Sequence, residues 1–304
     1  MRLAASSHRA GLVCAVLAHV MWGLFPLFWR LLRAYDSLEV VSYRVVFAWI
    51  ILLGIAPLLW LAASTSERVD LLSNLRSSRV WFAYALGGLL IFANWLVFLW
   101  AVGHDRVLEA SLGYYINPLL NVVLGVLIIK ERLTATQWSA VAIAAVGVAI
   151  MTSANGYIPW ISLVLAGTFS LYGLVKKQAK LPPLWGLLIE TSVLIVPALV
   201  LLTYFAPHSG PPQKSVWVWG TLLMGGVITI APLSLFAFAA RRVSLSTLGI
   251  LQYIGPTLQF IIGVWILAEP FGTTRMVGFC FVWLALLIYV RGTFAAGEPR
   301  AAVG

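Results

Sequence analysis

Ten apolar segments, each roughly 18 to 25 residues long, follow one another along the chain with short polar stretches between them. An α-helix of that length crosses a hydrocarbon core of about 30 Å. The predicted spans, numbered 1 to 10 in chain order, are 11–33, 38–62, 80–102, 107–129, 135–152, 158–175, 184–205, 216–240, 244–267 and 273–291. The sequence therefore predicts an all-α integral membrane protein with ten transmembrane helices.

The composition excludes soluble classes of protein. The 304 residues are 62% hydrophobic and 10% charged, with a mean hydropathy of +0.97, whereas about a quarter of a soluble domain is charged. The net charge of +10 is spread between the apolar segments instead of forming one patch, so no nucleic-acid partner is predicted. Cys14 and Cys280 lie in apolar segments and are interpreted as small hydrophobic residues, with no disulfide, metal or cofactor site.

The basic residues are distributed unequally between the two sides of the predicted bundle. With the N-terminus in the cytoplasm, fourteen of the twenty Lys and Arg residues fall on the cytoplasmic side, five fall on the opposite side and Arg44 lies inside span 2. This excess predicts that both termini are cytoplasmic. Arg2 and Arg9 before an apolar run also fit a signal peptide, but no small-residue cleavage pattern follows, which favours a retained first helix.

The second half of the chain repeats the first. At a constant offset of 138 residues, span 3 to the start of span 5 aligns without gaps with span 8 to span 10. The identical pairs include Trp81 with Trp219, Gly87-Gly88 with Gly225-Gly226, Phe98 with Phe236, Tyr115-Ile116 with Tyr253-Ile254, Pro118 with Pro256, Gly125 with Gly263 and Glu131 with Glu269. Spans 1 and 2 align with spans 6 and 7 at a slightly larger offset, so each repeat holds five helices.

Because five is an odd number, the second repeat enters the membrane from the side opposite to the first, and the repeats are predicted to be inverted. The predicted organisation is a cytoplasmic N-terminus at 1–10, a first repeat at 11–152, a second repeat at 157–291 and a cytoplasmic tail at 292–304. Inverted repeats are a common plan of secondary transporters, which bind substrate near the membrane midplane between the repeats and work by alternating access.

Two prolines occupy matched positions near the middles of spans 4 and 9. A proline inside a helix removes one backbone hydrogen bond and displaces the carbonyl four residues earlier, so Pro118 frees the carbonyl of Tyr114 and Pro256 frees that of Gln252. Paired helix breaks of this kind point to a transport site. The alternative is a pair of packing kinks that neighbouring helices compensate.

Polar and aromatic residues on the same spans are predicted to line a wet substrate cavity. Aromatic walls suit small amphipathic or cationic solutes, whereas hydrogen bonds between helices are the alternative role for each polar residue. The predicted cavity residues are Trp22, Asn94, Trp95, Tyr114, Tyr115, Asn117, Asn121, Tyr172, Gln252, Tyr253 and Gln259.

Three ionisable residues inside the apolar spans are candidates for proton coupling or charge recognition: His19, Arg44 and Glu190. Arg44 and Glu190 lie about 9 Å from opposite membrane faces, so they differ in depth by about 12 Å and no direct pair is assumed. Arg44 either lines the cavity or extends to the outer headgroups. Glu190 is a candidate proton carrier, and a hydrogen-bonded structural role is the preferred interpretation of His19.

Glu131 and Glu269 follow spans 4 and 9 at matched positions. A carboxylate is favourable near the N-terminus of a helix. They are therefore predicted to be structural and to cap spans 5 and 10.

These residues together resemble a known family pattern, the EamA repeat of the drug/metabolite transporter superfamily. The first half carries Trp22-Gly23, Arg44, Gly125, Glu131, Leu133, Thr134, Gln137 and Gly147, and the second half carries Pro256, Gly263, Glu269 and Gly278. The segments MWGLFPLFWR, NWLVFLWAV and EASLGYYINPLLNVVLG are similar to the RarD-type branch of that family, and the resemblance extends from span 1 to span 10. The second half lacks the Trp-Gly pair and has Glu190 where the first half has Arg44.

The resemblance implies a basket of ten helices with a central cavity formed mainly by spans 1, 3, 4, 6, 8 and 9. It also implies export or uptake of small metabolites or drugs across a bacterial-type inner membrane. The expected function is therefore a secondary transporter with a small-molecule substrate, protons as a candidate coupling ion, the lipid bilayer as its environment and no cofactor. The Walker A motif Gly-x-x-x-x-Gly-Lys-Ser/Thr does not occur in the sequence.

Two alternatives stay open from sequence: an accessory or sensor subunit that does not transport, and an intramembrane lipid-modifying enzyme. The enzyme is disfavoured because such sites usually cluster His, Asp or Glu near one interface. The substrate, the direction of transport and the choice between a monomer and a homodimer are not determined by the sequence.

Overall fold

A computed structural model of the chain describes residues 2–129, 135–155, 158–177, 181–205, 214–240, 242 and 251–295, and within these ranges the elements are all helical. In chain order they are α1 (Arg2–Arg30), α2 (Ser37–Ala62), α3 (Thr65–Leu75), α4 (Ser78–Gly103), α5 (Val107–Ile129), α6 (Ala135–Asn155), α7 (Trp160–Lys177), α8 (Pro183–Phe205), α9 (Val216–Ala240), α10 (Ile254–Ile261), a π-helical turn (Ile262–Ile266) and α11 (Thr273–Ala295). Five helices in this part of the chain are long and apolar enough to cross a membrane, and four shorter ones are also apolar.

Helix α3 is the element that hydropathy does not predict, because the sequence indicates a polar connection over residues 63–79. The helix begins with a capping box in which the Ser64 side chain accepts from the Glu67 N–H and the Glu67 side chain accepts from the Ser64 N–H. Its single buried residue, Leu71, packs with Tyr84 and Leu181. Reciprocal capping and one buried side chain stabilise a short helix that is too polar to cross the membrane.

The two sides of the bundle are named here by residues that lie on them. The Arg30 side holds residues 31–36, 104–106 and 267–272, and on it Arg30 pairs with Asp105. The α3 side holds α3 and the connection between α7 and α8, where the Leu181 N–H donates to the Tyr84 hydroxyl at 3.2 Å. The connection from α1 to α2 lies on the Arg30 side and the equivalent connection from α7 to α8 lies on the α3 side, so the repeats are inverted.

The helix contacts follow a pseudo-two-fold pattern. The contacts of α1 with α9 and α10 are matched by those of α7 with α4 and α5, and the contact of α2 with α9 is matched by that of α8 with α4. Helices α2 and α8 pack on each other, as do α6 and α11. The first helix of each repeat thus packs against the third and fourth helices of the other repeat, and the second helix packs against the second and third helices of the other repeat.

The Gly-Gly pairs of the repeat lie where helices of the two repeats cross closely. A Cβ added at Gly88 on α4 would lie 3.2 Å from the Glu190 carbonyl oxygen of α8, and one at Gly226 on α9 would lie 2.8 Å from the Phe47 backbone carbon of α2. Side chains at these positions would separate the helices. The repeated glycines therefore conserve the same helix crossing in both halves of the molecule.

The two matched prolines occupy different local structures. Helix α5 continues through Pro118, as expected for a proline within a span. The prediction that Pro256 lies near the middle of a helix is wrong within the described residues, because α10 begins at Ile254 after a turn at 252–253. Pro256 is thus in the first turn of α10, where an N–H has no intrahelical acceptor and its absence costs little.

Candidate functional site

Buried polar side chains collect where the two repeats meet. Asn94 of α4 donates from Nδ2 to the Leu165 carbonyl and to Thr168 Oγ1, both at 3.0 Å, and its Oδ1 accepts from the Tyr114 hydroxyl at 3.2 Å. Asn94 therefore joins three helices, α4, α5 and α7. In this conformation the Asn94 amide forms hydrogen bonds between helices, which is the alternative role to lining a cavity.

A second polar group lies one turn further along α5. The Ser170 hydroxyl of α7 donates to Asn117 Oδ1, and both residues are buried. The Pro118 and Asn121 side chains and the whole of Glu131 lie outside the described residues. The described polar contacts thus connect α5 of the first repeat with α7 of the second.

The symmetry-related contact between α1 and α10 also contains an amide. Gln259 Nε2 donates to the Trp22 carbonyl oxygen at 3.1 Å. Gln259 is 3% exposed, and its Oε1 has no hydrogen-bond donor among the described residues. Trp22 itself contacts the rings of His19 and Phe236. This amide keeps one acceptor unused in the protein interior.

Tyrosines from both repeats meet beside these amides. Thr257 Oγ1 donates to the Tyr253 carbonyl at 2.7 Å, so its oxygen accepts from the Tyr115 hydroxyl at 2.8 Å. The rings of Tyr115 and Tyr253 stack with 6.4 Å between centroids. The matched pair of the sequence repeat is therefore a pair of neighbours in the structure. Gln252 lies in the turn before α10 and is half-buried.

Arg44 of α2 is 3% exposed and lies among aromatic rings. Its Nε donates to Thr229 Oγ1 of α9 at 2.7 Å. Its guanidinium carbon lies 4.0 Å from the Trp95 ring centroid, 5.0 Å from that of Trp29 and 5.7 Å from that of Phe25. The side chain points into the protein, so the alternative that it extends to the headgroups does not describe this conformation.

Glu190 of α8 has a charged partner of its own. Its carboxylate, 1% exposed, accepts from Lys176 Nζ at 2.9 Å and from the Tyr172 hydroxyl at 3.1 Å. Lys176 is 26% exposed and also contacts the Tyr84 ring. Lys176 directly follows predicted span 6, and no sequence pattern pairs it with Glu190. Lys176 lies at the end of α7, and its long aliphatic side chain allows the ammonium group to reach the Glu190 carboxylate.

The structure keeps Arg44 and Glu190 apart. Arg44 packs on Trp95 of α4, whereas a Cβ added at Gly87 of the same helix would lie 3.1 Å from Glu190 Oε1. Eight residues of helix separate these contacts, or about 12 Å. No ion pair joins the two side chains in the described residues. The expected difference in depth therefore agrees with the geometry.

His19 of α1 is buried with one clear hydrogen bond. Its Nδ1 donates to the Ala15 carbonyl at 2.7 Å, and the ring packs edge-on against Trp22 and Phe236. An intrahelical hydrogen bond and apolar neighbours are typical of a structural histidine. This geometry supports the preferred interpretation from sequence.

Two carboxylates join the repeats on the Arg30 side. Glu39 at the start of α2 pairs with Lys214 before α9 at 2.7 Å, with both side chains buried. Glu269 accepts from the N–H groups of Val107 and Leu108, at 2.5 and 2.9 Å. The prediction that Glu269 caps span 10 is wrong, because its carboxylate caps the N-terminus of α5 instead. Burial raises the pKa of Glu269, and the two backbone hydrogen bonds oppose that rise.

Metal ligation is not indicated in the described part of the chain, where no three His, Cys, Asp or Glu side chains form a group that fits a metal ion. The buried charged groups described above form ion pairs, cap a helix or contact aromatic rings. What this interior can do chemically is to bind a solute through amides, hydroxyls, rings and one guanidinium.

Comparison with known proteins gives a consistent result. The model of the EamA-like transporter family matches residues 9–153 and again 158–291. An uncharacterised transporter of Pseudomonas aeruginosa is 42% identical over 94% of this chain and 95% of its own length. Protein RarD of Streptomyces exfoliatus is 40% identical over 94% of this chain and 89% of its own length, and Protein RarD of Escherichia coli is 37% identical over 94% and 95%.

The fold also matches a solved structure. A protein crystal structure superposes with a TM-score of 0.60 and 16% identity, covering 96% of this chain and 100% of the other. Both halves of the chain match the family model, the identities to RarD proteins extend over nearly the whole length, and the described helices form two inverted sets. The chain therefore belongs to the EamA-like transporter family and is a RarD-type member of it.

Proposed function

We propose that this multi-pass membrane protein is a secondary, ATP-independent transporter of small organic metabolites or drugs. The observation that carries the proposal is the pseudo-two-fold packing of two inverted repeats around buried polar side chains. A bundle that only had to be stable in lipid would have little use for so many buried amides, since polar groups there are expensive. Related proteins named as transporters support the same class of activity.

The proposed solute site lies between α1, α4 and α5 on one hand and α7, α9 and α10 on the other. These helices contact across the pseudo-two-fold, whereas α6 and α11 pack on each other. The proposed lining residues are Trp22, Asn94, Trp95, Tyr114, Tyr115, Asn117, Asn121, Tyr172, Gln252, Tyr253 and Gln259, together with the matched prolines Pro118 and Pro256. During the transport cycle, the amide side chains among them exchange hydrogen bonds to neighbouring helices for hydrogen bonds to the solute.

Alternating access in this molecule requires the Arg30 side to open. Two contacts close it, the Glu39–Lys214 ion pair and the Glu269 carboxylate on α5, and each joins one repeat to the other. On the α3 side, the Lys176–Glu190 pair lies within the second repeat. Opening of the Arg30 side therefore breaks contacts between the repeats, whereas the Lys176–Glu190 pair joins residues of a single repeat.

Protons are the proposed coupling ion, with Glu190 as the carrier. Its carboxylate is buried, faces Gly87 of the first repeat and is held by Lys176 and Tyr172. Movement of Lys176 away from it would leave a desolvated carboxylate that favours protonation. In vesicles with an imposed pH gradient, Glu190→Gln is expected to retain solute exchange and lose its dependence on the gradient. Full gradient dependence in that variant contradicts the coupling role.

The proposed location is a bacterial-type inner membrane with both termini in the cytoplasm. The excess of Lys and Arg on the α3 side supports this orientation. Single cysteines at Arg33 and Arg68, in a chain whose own cysteines are replaced, test it with a membrane-impermeant thiol reagent. Labelling at position 33 and protection at 68 in intact cells is expected, and the reverse pattern contradicts the orientation.

Reconstitution tests the transport function. Purified protein is placed in sealed vesicles without ATP, and labelled amino acids, nucleosides, organic cations and organic acids are screened for exchange. Saturable exchange of one class above protein-free vesicles is expected. A chemically altered lipid in place of exchange would identify an intramembrane enzyme, and neither exchange nor altered lipid from folded protein would favour an accessory subunit.

A further inference from the structure

We propose that Arg44 binds the carboxylate group of a small monoanionic organic solute, an inference that rests on the proposed transport function and names its substrate class. The aromatic walls alone suggested cationic or amphipathic solutes. The Arg44 guanidinium next to these rings is positively charged. Around Arg44 the site therefore favours an anionic group instead of a cationic one.

The guanidinium of Arg44 is buried in a neutral environment. A guanidinium has five N–H donors, and in the described residues only its Nε has a hydrogen-bond acceptor, Thr229 Oγ1 at 2.7 Å. The remaining contacts are faces of aromatic rings, of which Trp95 is nearest at 4.0 Å. The two terminal nitrogens form the planar edge that binds carboxylates in bidentate fashion. Their N–H groups have no acceptor among the described residues.

The described residues offer no carboxylate to this charge. Of its ten acidic residues, only Glu131 and Glu298 lie outside the described ranges. None of the others pairs with Arg44; Glu39 pairs with Lys214 and Glu190 with Lys176. An arginine in a membrane span is normally paired or exposed to a water-filled cavity because its burial is costly. The missing counter-charge is thus expected from a ligand.

A second unused donor lies beside the guanidinium. Trp29 is 3% exposed, and its Nε1 has no hydrogen-bond acceptor among the described residues. Its ring centroid is 5.0 Å from the guanidinium carbon of Arg44. An indole N–H can only donate. Two neighbouring side chains from α1 and α2 therefore have donors available and require an acceptor.

The surroundings also limit the rest of the ligand. The ammonium group of an α-amino acid lies next to its carboxylate and would need an anion near Arg44. Glu39 lies about 7.5 Å from Arg44 along α2 and is already paired with Lys214. Glu190 of α8 contacts α4 about 12 Å of helix away from the Arg44 contact and is already paired with Lys176. The rings of Phe25, Trp29 and Trp95 favour an apolar or aromatic body. The preferred ligand is an organic acid with a single negative charge.

Matched probes on the purified full-length protein test this assignment. Indole-3-acetate, its neutral analogue indole-3-acetamide and the cation tryptamine share one aromatic body and differ in charge. Affinities are measured from the ligand dependence of thermal unfolding in chloride-free buffer. The variants are Arg44→Gln, Arg44→Lys and, as a matched control on the same side of the bundle, the exposed Arg33→Gln.

The wild type is expected to bind the acid at least about 30-fold more tightly than the amide, as for a buried charge pair with one partner truncated. Arg44→Gln is expected to abolish that preference, and Arg33→Gln to keep it. Equal affinity for acid and amide, binding of neither acid nor amide by the wild type, or a preference that survives Arg44→Gln overturns the proposal. So does stabilisation by chloride that depends on Arg44 and equals that by the acid, which would indicate an inorganic anion site.

If Arg44→Gln fails to fold, Arg44→Lys decides the question. It keeps the charge and loses the planar edge, so weaker binding of the acid with unchanged binding of the amide is expected. Unchanged binding of the acid overturns the assignment. Transport is read separately: binding of the acid that depends on Arg44 without flux in vesicles contradicts only the transport function, and flux of neutral solutes that ignores Arg44 contradicts only the carboxylate site.

Discussion

Arg44 and Glu190 occupy equivalent positions in two inverted repeats, and their surroundings differ in one decisive respect. Glu190 has a counter-charge from its own repeat, Lys176 at 2.9 Å, whereas Arg44 has ring faces and one hydroxyl. The helices that carry them pack in the same way, α2 on α9 and α8 on α4. Repetition thus preserves the packing of the helices while the charges at equivalent points diverge.

The divergence separates two tasks. A carboxylate with an internal partner can gain or lose that partner during a cycle, which suits coupling to an ion. A cation without a partner is incomplete in the absence of ligand, which suits recognition. The two charges lie at different depths, so a solute carboxylate at Arg44 and a proton at Glu190 do not compete for the same atoms.

The largest expected difference in stability is between a variant that removes the cation paired with Glu190 and a variant that removes the Arg44 cation. Lys176→Met leaves the buried Glu190 unpaired and is expected to lower the free energy of unfolding by about 2 to 3 kcal/mol, allowing for partial exposure of the lysine. Arg44→Met leaves no orphaned partner and is expected to change it by less than about 1 kcal/mol. Denaturant unfolding in detergent micelles measures both.

The double variant Lys176→Met with Glu190→Gln is the control for this difference, because it removes the unpaired charge and is expected to recover most of the loss. Equal destabilisation by Lys176→Met and Arg44→Met would show that Arg44 has an internal counter-charge after all. The contrast between the two positions would then be lost.

The shared packing is tested at the glycine pairs. Gly226→Ala places a Cβ 2.8 Å from backbone of α2, and Gly88→Ala places one 3.2 Å from backbone of α8. Overpacking is expected to destabilise both by about 1 to 3 kcal/mol, with Gly226→Ala the more severe. Thermal unfolding compares them with Gly220→Ala, which meets nothing within 4 Å. Loss in the control equal to that in Gly226→Ala would contradict the close crossing.

The smallest effects are expected from the neutral partners of the two charges. Thr229→Val removes the acceptor of Arg44 Nε, and Tyr172→Phe removes a donor to Glu190. Loss of each hydrogen bond is expected to lower the free energy of unfolding by about 0.5 to 1.5 kcal/mol. The loss is expected to be larger for the threonine, because it is the only described acceptor for Arg44, whereas Lys176 still holds Glu190 in Tyr172→Phe. Unfolding midpoints measured side by side rank the two, and a larger loss for Tyr172→Phe would reverse the comparison.

The sequence predicts the features that depend on many residues. Hydropathy finds the apolar spans because a helix in lipid must be apolar along its whole length. The repeat is visible because Gly, Trp and Pro recur at a constant offset of 138 residues. The repeated glycines are costly to change because helix backbones approach closely there. Arg44 and Glu190 are identifiable because a charge inside a span is rare.

Features that depend on one contact could not be predicted from sequence. Lys176 is one of several basic residues at a membrane boundary, and only the fold brings its ammonium group to Glu190. Glu39 and Lys214 lie in different repeats, so no local pattern pairs them. Glu269 is followed by a helix it was expected to cap, yet α5 of the other repeat presents its N-terminus closer to the carboxylate.

Counterflow tests the central claim of alternating access most directly. Vesicles that contain the protein are loaded with an excess of the unlabelled solute that gives the largest thermal stabilisation, and uptake of the same labelled solute is followed without ATP or an ion gradient. Transient accumulation of label above its external concentration is expected, because the excess of unlabelled solute occupies the binding sites that face the vesicle interior and keeps the label that has entered from leaving. Equilibration without overshoot, equal in loaded and empty vesicles, would contradict it and indicate a passive pore.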